Sequence, residues 1–367
     1  MTPHDRIAPA RLGLFGPDGR RLPRIAERRA PTPRQHVGLD GWVAWSLVDR
    51  RGREVAAGEQ HNLILNTFLD LIGTAANSGG AYTSTSDSQL GLNVTASHAA
   101  VGTGSTAPAV TDTALVAEIG RTSTKLSSTV TRPSAGVYEF VVEYEFDFAV
   151  GNGNLTEFAI ANASSGGVIV RELFRDELGD PITITKTSDF KLRIKYTHTV
   201  TLTPTTLTAA SLTIDGIGTL NGDVMWYGGA STDDAMDMFC FSRLARGAVA
   251  TSQTSGRNVF GVLNNRDDST YTASPVYVST GGGTYADTIS ASTYTGGTYT
   301  RKVASATWST ARSQLSNLRH IGIGKTAPSA GQGIGFSFRA DDGDRFTKDD
   351  LHLLTITDLV TVSWDRA

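Results

Sequence analysis

One block of sequence occurs twice in this chain of 367 residues, and the distance between the two occurrences limits the folds open to it. The run Phe174-Arg175-Asp176-Glu177-Leu178-Gly179-Asp180, followed by Lys186 and a long alternating segment, returns as Phe338-Arg339-Ala340-Asp341-Asp342-Gly343-Asp344, followed by Lys348 and a second such segment. The phenylalanines lie 164 positions apart, the lysines 162, and Leu155–Ile160 matches Leu318–Ile323 at 163. A steady period of domain size indicates two copies of one unit in tandem and not a short-repeat solenoid. The expected organisation is an N-terminal arm over residues 1–40, a first domain over 41–203 and a second over 204–367.

Within the first copy, hydrophobicity alternates with a period of two. Tyr138, Phe140, Val142, Tyr144, Phe146 and Phe148 share one parity, and Glu139, Glu143, Glu145 and Asp147 hold the other. Phe190, Leu192, Ile194, Tyr196, Val200 and Leu202 alternate with Lys191, Arg193, Lys195 and threonines. Each segment reads as a strand with one buried face, and their acidic and basic outer faces predict lateral pairing through opposite charges. Turn residues at Gly151–Asn154 and Ser164–Gly167 give a meander of hairpins, so each copy is read as an antiparallel β-sandwich and the whole chain as all-β. Leu65, Phe68, Leu69 and Ile72 predict one short helix near residues 64–75.

The C-terminal segment of copy two repeats the alternation as Leu354, Ile356, Val360, Val362 and Trp364, with Asp358 standing where the first copy has Tyr196. A bulge or a solvent-facing break at Asp358-Leu359 reconciles the two. The segment Tyr299–Trp308 is a faint counterpart of Tyr138–Phe148.

Residues 1–40 differ from the rest in carrying eight arginines against four acids and six of the 12 prolines. Such a segment builds no core of its own. It is either a disordered leader or a docking arm in which Arg20, Arg21, Arg24, Arg28 and Arg29 pair with carboxylates of a neighbouring subunit. Residues 268–300 are rich in Thr, Ser and Gly and carry Tyr277, Tyr285, Tyr294 and Tyr299, a candidate interaction surface whose plain alternative is a polar β-hairpin.

Chemical motifs are scarce. A net charge of −3 gives no basic field for nucleic acid, and the single cysteine, Cys240, sits in an apolar run and reads as a core thiol. No apolar run is long enough for a signal peptide or a membrane span. Gly322-Ile323-Gly324-Lys325-Thr326 lacks the upstream glycine of a phosphate-binding loop and runs into Pro328. The seven histidines are dispersed, and the acidic runs at Asp233-Asp234, Asp341-Asp342 and Asp349-Asp350 lack calcium-loop spacing, so no catalytic residue, metal or cofactor is expected. A carboxylate pair for glycoside cleavage stays open, because sequence does not supply the separation.

Four blocks carry a resemblance: Asn62-Leu63-Ile64-Leu65-Asn66, Val101–Leu115 with its Gly-Thr-Gly-Ser-Thr-Ala-Pro run, Leu155-Thr156-Glu157-Phe158, and Ile184-Thr185-Lys186-Thr187. Together they resemble virion structural proteins of tailed bacteriophages, of the tail, neck or fibre-associated type. The resemblance spans Asn62 to Leu202 and implies a non-enzymatic assembly role, with other virion proteins and further copies of the chain as partners, and the virion as location after synthesis in the host cytoplasm. The alternatives are a receptor- or glycan-binding adhesin using the tyrosine region, a capsid decoration protein, and a polysaccharide depolymerase.

Overall fold

The structure is a computed structural model that describes residues 34–74, 96–134, 136–202, 208–214, 217–226, 244–245, 247, 260–264, 283–310, 315–327, 331–348, 351 and 353–367. It is predominantly β. The first half runs β1 (Arg34–Asp49), β2 (Glu54–His61), β3 (Leu63–Ile64), α1 (Asn66–Thr74), β4 (His98–Gly102), β5 (Glu118–Thr122) and β6 (Lys125–Ser134). It continues through β7 (Val137–Phe146), β8 (Gly153–Leu155), β9 (Glu157–Ala161), β10 (Val168–Leu173), β11 (Ile184–Lys186) and β12 (Phe190–Leu202). The second half holds β13 (Thr208–Ile214), β14 (Gly218–Trp226), β15 (Phe260–Asn264), β16 (Gly283–Tyr285), β17 (Thr288–Ala291) and β18 (Thr300–Trp308). It closes with β19 (Leu315–Leu318), β20 (His320–Ala327), β21 (Gly331–Ala340), β22 (Phe346–Lys348) and β23 (Leu354–Arg366).

In the first half, β2, β1, β12, β7 and β6 form one set of neighbours and β3, β10, β9, β4 and β5 another. Both sets contribute to one apolar core: Phe140, Val142, Tyr144, Leu192 and Ile194 come from the first, and Val101, Phe158, Ile160 and Val170 from the second. Alternation explains this placement. The inward residues Tyr138 to Phe146 and Leu192 to Leu202 are buried, and the acidic and basic outer faces meet as expected, with Lys195 opposite Glu143 and Arg193 opposite Glu145. Lys191 Nζ lies 2.6 Å and Arg193 Nε 3.2 Å from the Glu145 carboxylate.

The expected helix is present as α1, with Phe68, Leu69, Ile72 and Gly73 buried at spacings of three, four and one. The segment expected to be arm is partly strand, because Val37 and Leu39 alternate into the core and draw Arg34–Asp40 into β1. The bulge expected at Asp358-Leu359 is seen in the β18–β23 ladder, where Val303 pairs with Val360 but Ser305 with Thr357. Leu359 and Val360 are consequently both buried.

Ladders of the second half repeat those of the first. The β4–β9 ladder runs from His98/Ala161 to Gly102/Glu157, and the β15–β20 ladder from Phe260/Gly324 to Asn264/His320, offsets of 162 and 163. Phe146/Leu192 returns as Trp308/Leu354, both at 162. Phe174 differs from its sequence match: its N–H bonds to Thr156 O, and the equivalent bond runs from Ala340, not Phe338, to Arg319 O. A slip of two residues keeps the same face inward, so both phenylalanines stay buried.

The halves are not separate bodies side by side. Arg34–Leu39 of β1 pair in parallel with Thr361–Arg366 of β23, which joins both halves in one 14-stranded sheet. A shared sheet and a core running from Val37 to Trp364 therefore connect the two halves.

Candidate functional site

The four blocks that carry the resemblance converge in the first half. Asn66 N–H bonds to Val110 O, Thr156 N–H to Gly102 O, and Ile184 pairs with Leu155. At their centre is an ion cluster inside an apolar sheet. Glu157, on β9, and Arg171, on β10, are 0% and 1% exposed, with Arg171 Nη2 at 3.0 Å from Glu157 Oε2. Glu157 also accepts the backbone N–H groups of Gly104 (3.1 Å), Val116 (3.2 Å) and Ala117 (2.8 Å). Arg171 donates to Asp112 Oδ2 at 2.6 Å and to Thr106 O at 2.8 Å. Every one of these partners belongs to the loop from Thr103 to Ala117. Burying a charge is tolerated only with such pairing, so the cluster fixes the loop as one rigid unit.

This arrangement explains the glycines of the loop. A Cβ on Gly104 would lie 2.5 Å from Glu157 Oε1 and 2.5 Å from Val116 Cβ, and one on Gly102 2.6 Å from Glu157 Oε1. Sequence inspection did not single out Glu157 or Arg171. The available signal was charge inside two apolar runs, Glu157 in Leu-Thr-Glu-Phe-Ala-Ile and Arg171 with Glu172 in Val-Ile-Val-Arg-Glu-Leu.

A second cluster joins the halves around α1. Tyr294 Oη donates to Asp70 Oδ1 at 2.6 Å, and Gly297 N–H reaches the same oxygen at 2.8 Å. Trp364 Nε1 donates to Leu69 O at 2.8 Å, Arg301 Nη1 to Gly73 O at 3.2 Å, and Arg366 Nη2 to Asn66 Oδ1 at 2.6 Å. Tyr294 also stacks on Trp364 with ring centroids 5.6 Å apart. Burial raises the Tyr294 phenol above its usual range, and hydrogen bonding to Asp70 adds to the shift. Tyr299 stands beside this joint with φ +50° and its carbonyl accepting Trp364 N–H. Two members of the tyrosine surface thus contribute to an internal joint. Tyr285 lies on the β16 backbone, and Tyr277 lies outside the described residues. So do Arg20, Arg21, Arg24, Arg28, Arg29 and Cys240.

Beside β2 opens a groove of about 1000 Å³. It is lined by Ala44, Ser46 and Lys195 of β1 and β12, by Glu54, Ala57, Gly58 and Glu59 of β2, and by Asp176, Glu177, Leu178 and Ile182 of the loop after β10.

Among ionisable groups, Lys186 and Lys348 occupy equivalent places and are 1% and 2% exposed. Lys186 Nζ donates to Asp147 O and Asn152 Oδ1, at 3.0 and 2.7 Å, and burial lowers its pKa. His198 is stacked on Phe140 with centroids 4.6 Å apart, without a hydrogen-bond partner for either ring nitrogen, and burial pushes its pKa down to about 3. Gly322–Thr326 lies in β20, extended strand and not a phosphate-cradling loop. Asp344 Oδ2 accepts Asn221 N–H at 2.7 Å, tying its acidic turn to β14. Among the described residues no group of three or more His, Cys, Asp or Glu is placed to hold a metal ion, and no helix is long and apolar enough to cross a membrane. No protein family, curated protein or solved structure matches the chain.

Proposed function

We propose that this chain is a non-enzymatic structural component of a tailed-phage virion, associated with the tail or neck, built from two copies of one β-sandwich unit and assembling with further copies through its N-terminal arm. The observation that carries the reading is that two of the resemblance-bearing blocks, Val101–Leu115 and Leu155–Phe158, supply Asp112 and Glu157 to the buried cluster with Arg171. Those residues hold a loop in place, which is a role in shape and contact and not in bond making. The duplication is supported by the ladders that recur at offsets of 162 and 163 and by the paired buried lysines. The joint around α1 supports a chain that acts as one rigid element between its partners.

The adhesin alternative rests on the tyrosines of the second half, and the packing of Tyr294 on Trp364 makes them a poorer receptor surface. Sedimentation of the purified full chain, together with labelling of the protein in intact particles, tests the proposal. Concentration-dependent association and label at the tail or neck are expected. A chain that stays monomeric, with deletion of residues 1–33 leaving particle incorporation unchanged, overturns it.

A further inference from the structure

We propose that the groove beside β2 is the receptor for the arginine segment 20–29 of a second copy of this chain, which adds as a strand along the free edge of β2. This deepens the assembly reading above and rests on it. Among the described residues β2 pairs with β1 alone. Asn62 N–H bonds to Gly41 O, and the β1–β2 register pairs Gln60 with Val43 and Gly58 with Trp45. Hydrogen-bonded pairs alternate in an antiparallel ladder, so Gly58 and Gln60 direct their main-chain groups to β1, and Ala57 and Glu59 direct theirs outward. An edge of this kind is a template for an incoming strand. The small side chains Ala56, Ala57 and Gly58 leave room for one.

Three further observations point to the occupant. Glu54, Glu59, Glu143, Asp176 and Glu177 line the groove against Arg175, Arg193 and Lys195; Glu54, Glu59 and Glu177 form no ion pair with any described residue, and the two arginines are tied to Glu172 and Glu145. Segment 20–29 brings five arginines against the single acid Glu27. Leu178, 87% exposed at the rim, faces the groove's mouth and matches the apolar Leu22 and Ile25 of the same segment.

Chain length keeps Arg28 and Arg29 from the groove of their own chain, so a second copy is needed to place all five arginines there. From Arg34 to Trp45, the β1 residue opposite the groove, the strand spans about 36 Å at roughly 3.3 Å per residue. Arg28 and Arg29, six and five residues before Arg34, reach at most about 22 Å even fully extended. They fall short of the groove of their own chain, but a neighbour can present all five arginines.

Charge exchange in the full-length chain tests this by sedimentation equilibrium. The wild type is expected to self-associate, and Glu54→Lys/Glu59→Lys and Arg24→Glu/Arg28→Glu are each expected to weaken association at least tenfold. Mixing the two variants is expected to restore association, because the intact groove of one then meets the intact arm of the other. All altered side chains on β2 are exposed, so folding is retained, and circular dichroism checks this. If only the arm variant dissociates, or neither does, the groove assignment is overturned while the assembly reading stands. A wild type that remains monomeric overturns both.

Discussion

Replacing Glu157 by glutamine tests whether the buried cluster holds the loop from Thr103 to Ala117. The carboxylate accepts three backbone N–H groups and Arg171 Nε, from within a site that is 0% exposed. An amide in its place keeps one acceptor oxygen, for Gly104 and Ala117, and turns its NH2 toward the Val116 N–H and the Arg171 guanidinium. Two buried donors then lack acceptors, at about 1–3 kcal/mol each, and Arg171 loses its counter-charge. The total falls near the ~3–5 kcal/mol expected for breaking a buried ion pair from one side. Asp112 and Thr106 O still hold Arg171, so the lower end of that range, about 3 kcal/mol, is expected. That corresponds to more than a hundredfold change in the loop's opening equilibrium. Urea unfolding of the full chain should show the loss, and amide exchange at Gly104, Val116 and Ala117 should accelerate by at least tenfold. Combining the change with Arg171→Met should cost less than the two singles added, by about 1 kcal/mol or more, since neither charge is then left alone. A Glu157→Gln variant within about 0.5 kcal/mol of wild type, with unchanged exchange at those amides, would refute the clamp.

Three other outcomes are expected. His198 has a folded pKa of about 3 against an ordinary 6.5, so the unfolded chain takes up a proton that the folded one refuses; stability falls as pH drops below 6.5, reaching its full loss below 3. Between pH 7 and pH 5 this loss is about 2 kcal/mol, and His198→Leu should flatten the pH dependence of the urea-derived stability by that amount, whereas parallel profiles would count against a buried neutral imidazole. Gly104→Ala drives a methyl against Glu157 Oε1 and Val116, and should destabilise by about 1–3 kcal/mol in the same urea assay, with a neutral result sinking the close-approach account. Tyr294→Phe removes the donor to Asp70 and should lower stability by about 1–2 kcal/mol while leaving the Trp364 stack in place; no loss would mean that the joint does not depend on this bond.

The pleated parts of the fold were legible because period-two alternation reports directly on which face is buried. Tyr138–Phe146, Phe190–Leu202 and Leu354–Trp364 needed only that rule, and the opposite charges on the first two named their lateral partner. Long-range choices were not legible. Nothing in Arg34–Asp40 announces that its strand will pair in parallel with Thr361–Arg366, because a parallel partner is selected by tertiary placement and not by local pattern. The cluster was missed for a related reason. Glu157 and Arg171 look like interruptions of apolar strands, and only the ladder placing Arg171 opposite Ala159, two residues from Glu157, shows that they cancel one another. Tyr294 carried the opposite error: tyrosines among Gly and Thr suggest an outward surface, but the amphipathic ring here faces an internal helix.

Divergence between the halves shows which features depend on the shared architecture and which belong to one half alone. The place of Glu157 in its ladder is held by His320 in the other, and the sequence match of His198, 162 positions on, is Val360, so neither the clamp nor the buried imidazole recurs in the second half. The loop that borders the groove also differs between the halves. Twelve positions separate Phe174 from Lys186, but eight separate the ladder-equivalent Ala340 from Lys348. The shorter connection carries Asp341 and Asp342 at the sequence positions of Glu177 and Leu178. The second half instead supplies Tyr294, Arg301, Trp364 and Arg366, which seat α1 of the first. The first half thus carries the clamped loop and the groove, and the second supplies the side chains that seat α1.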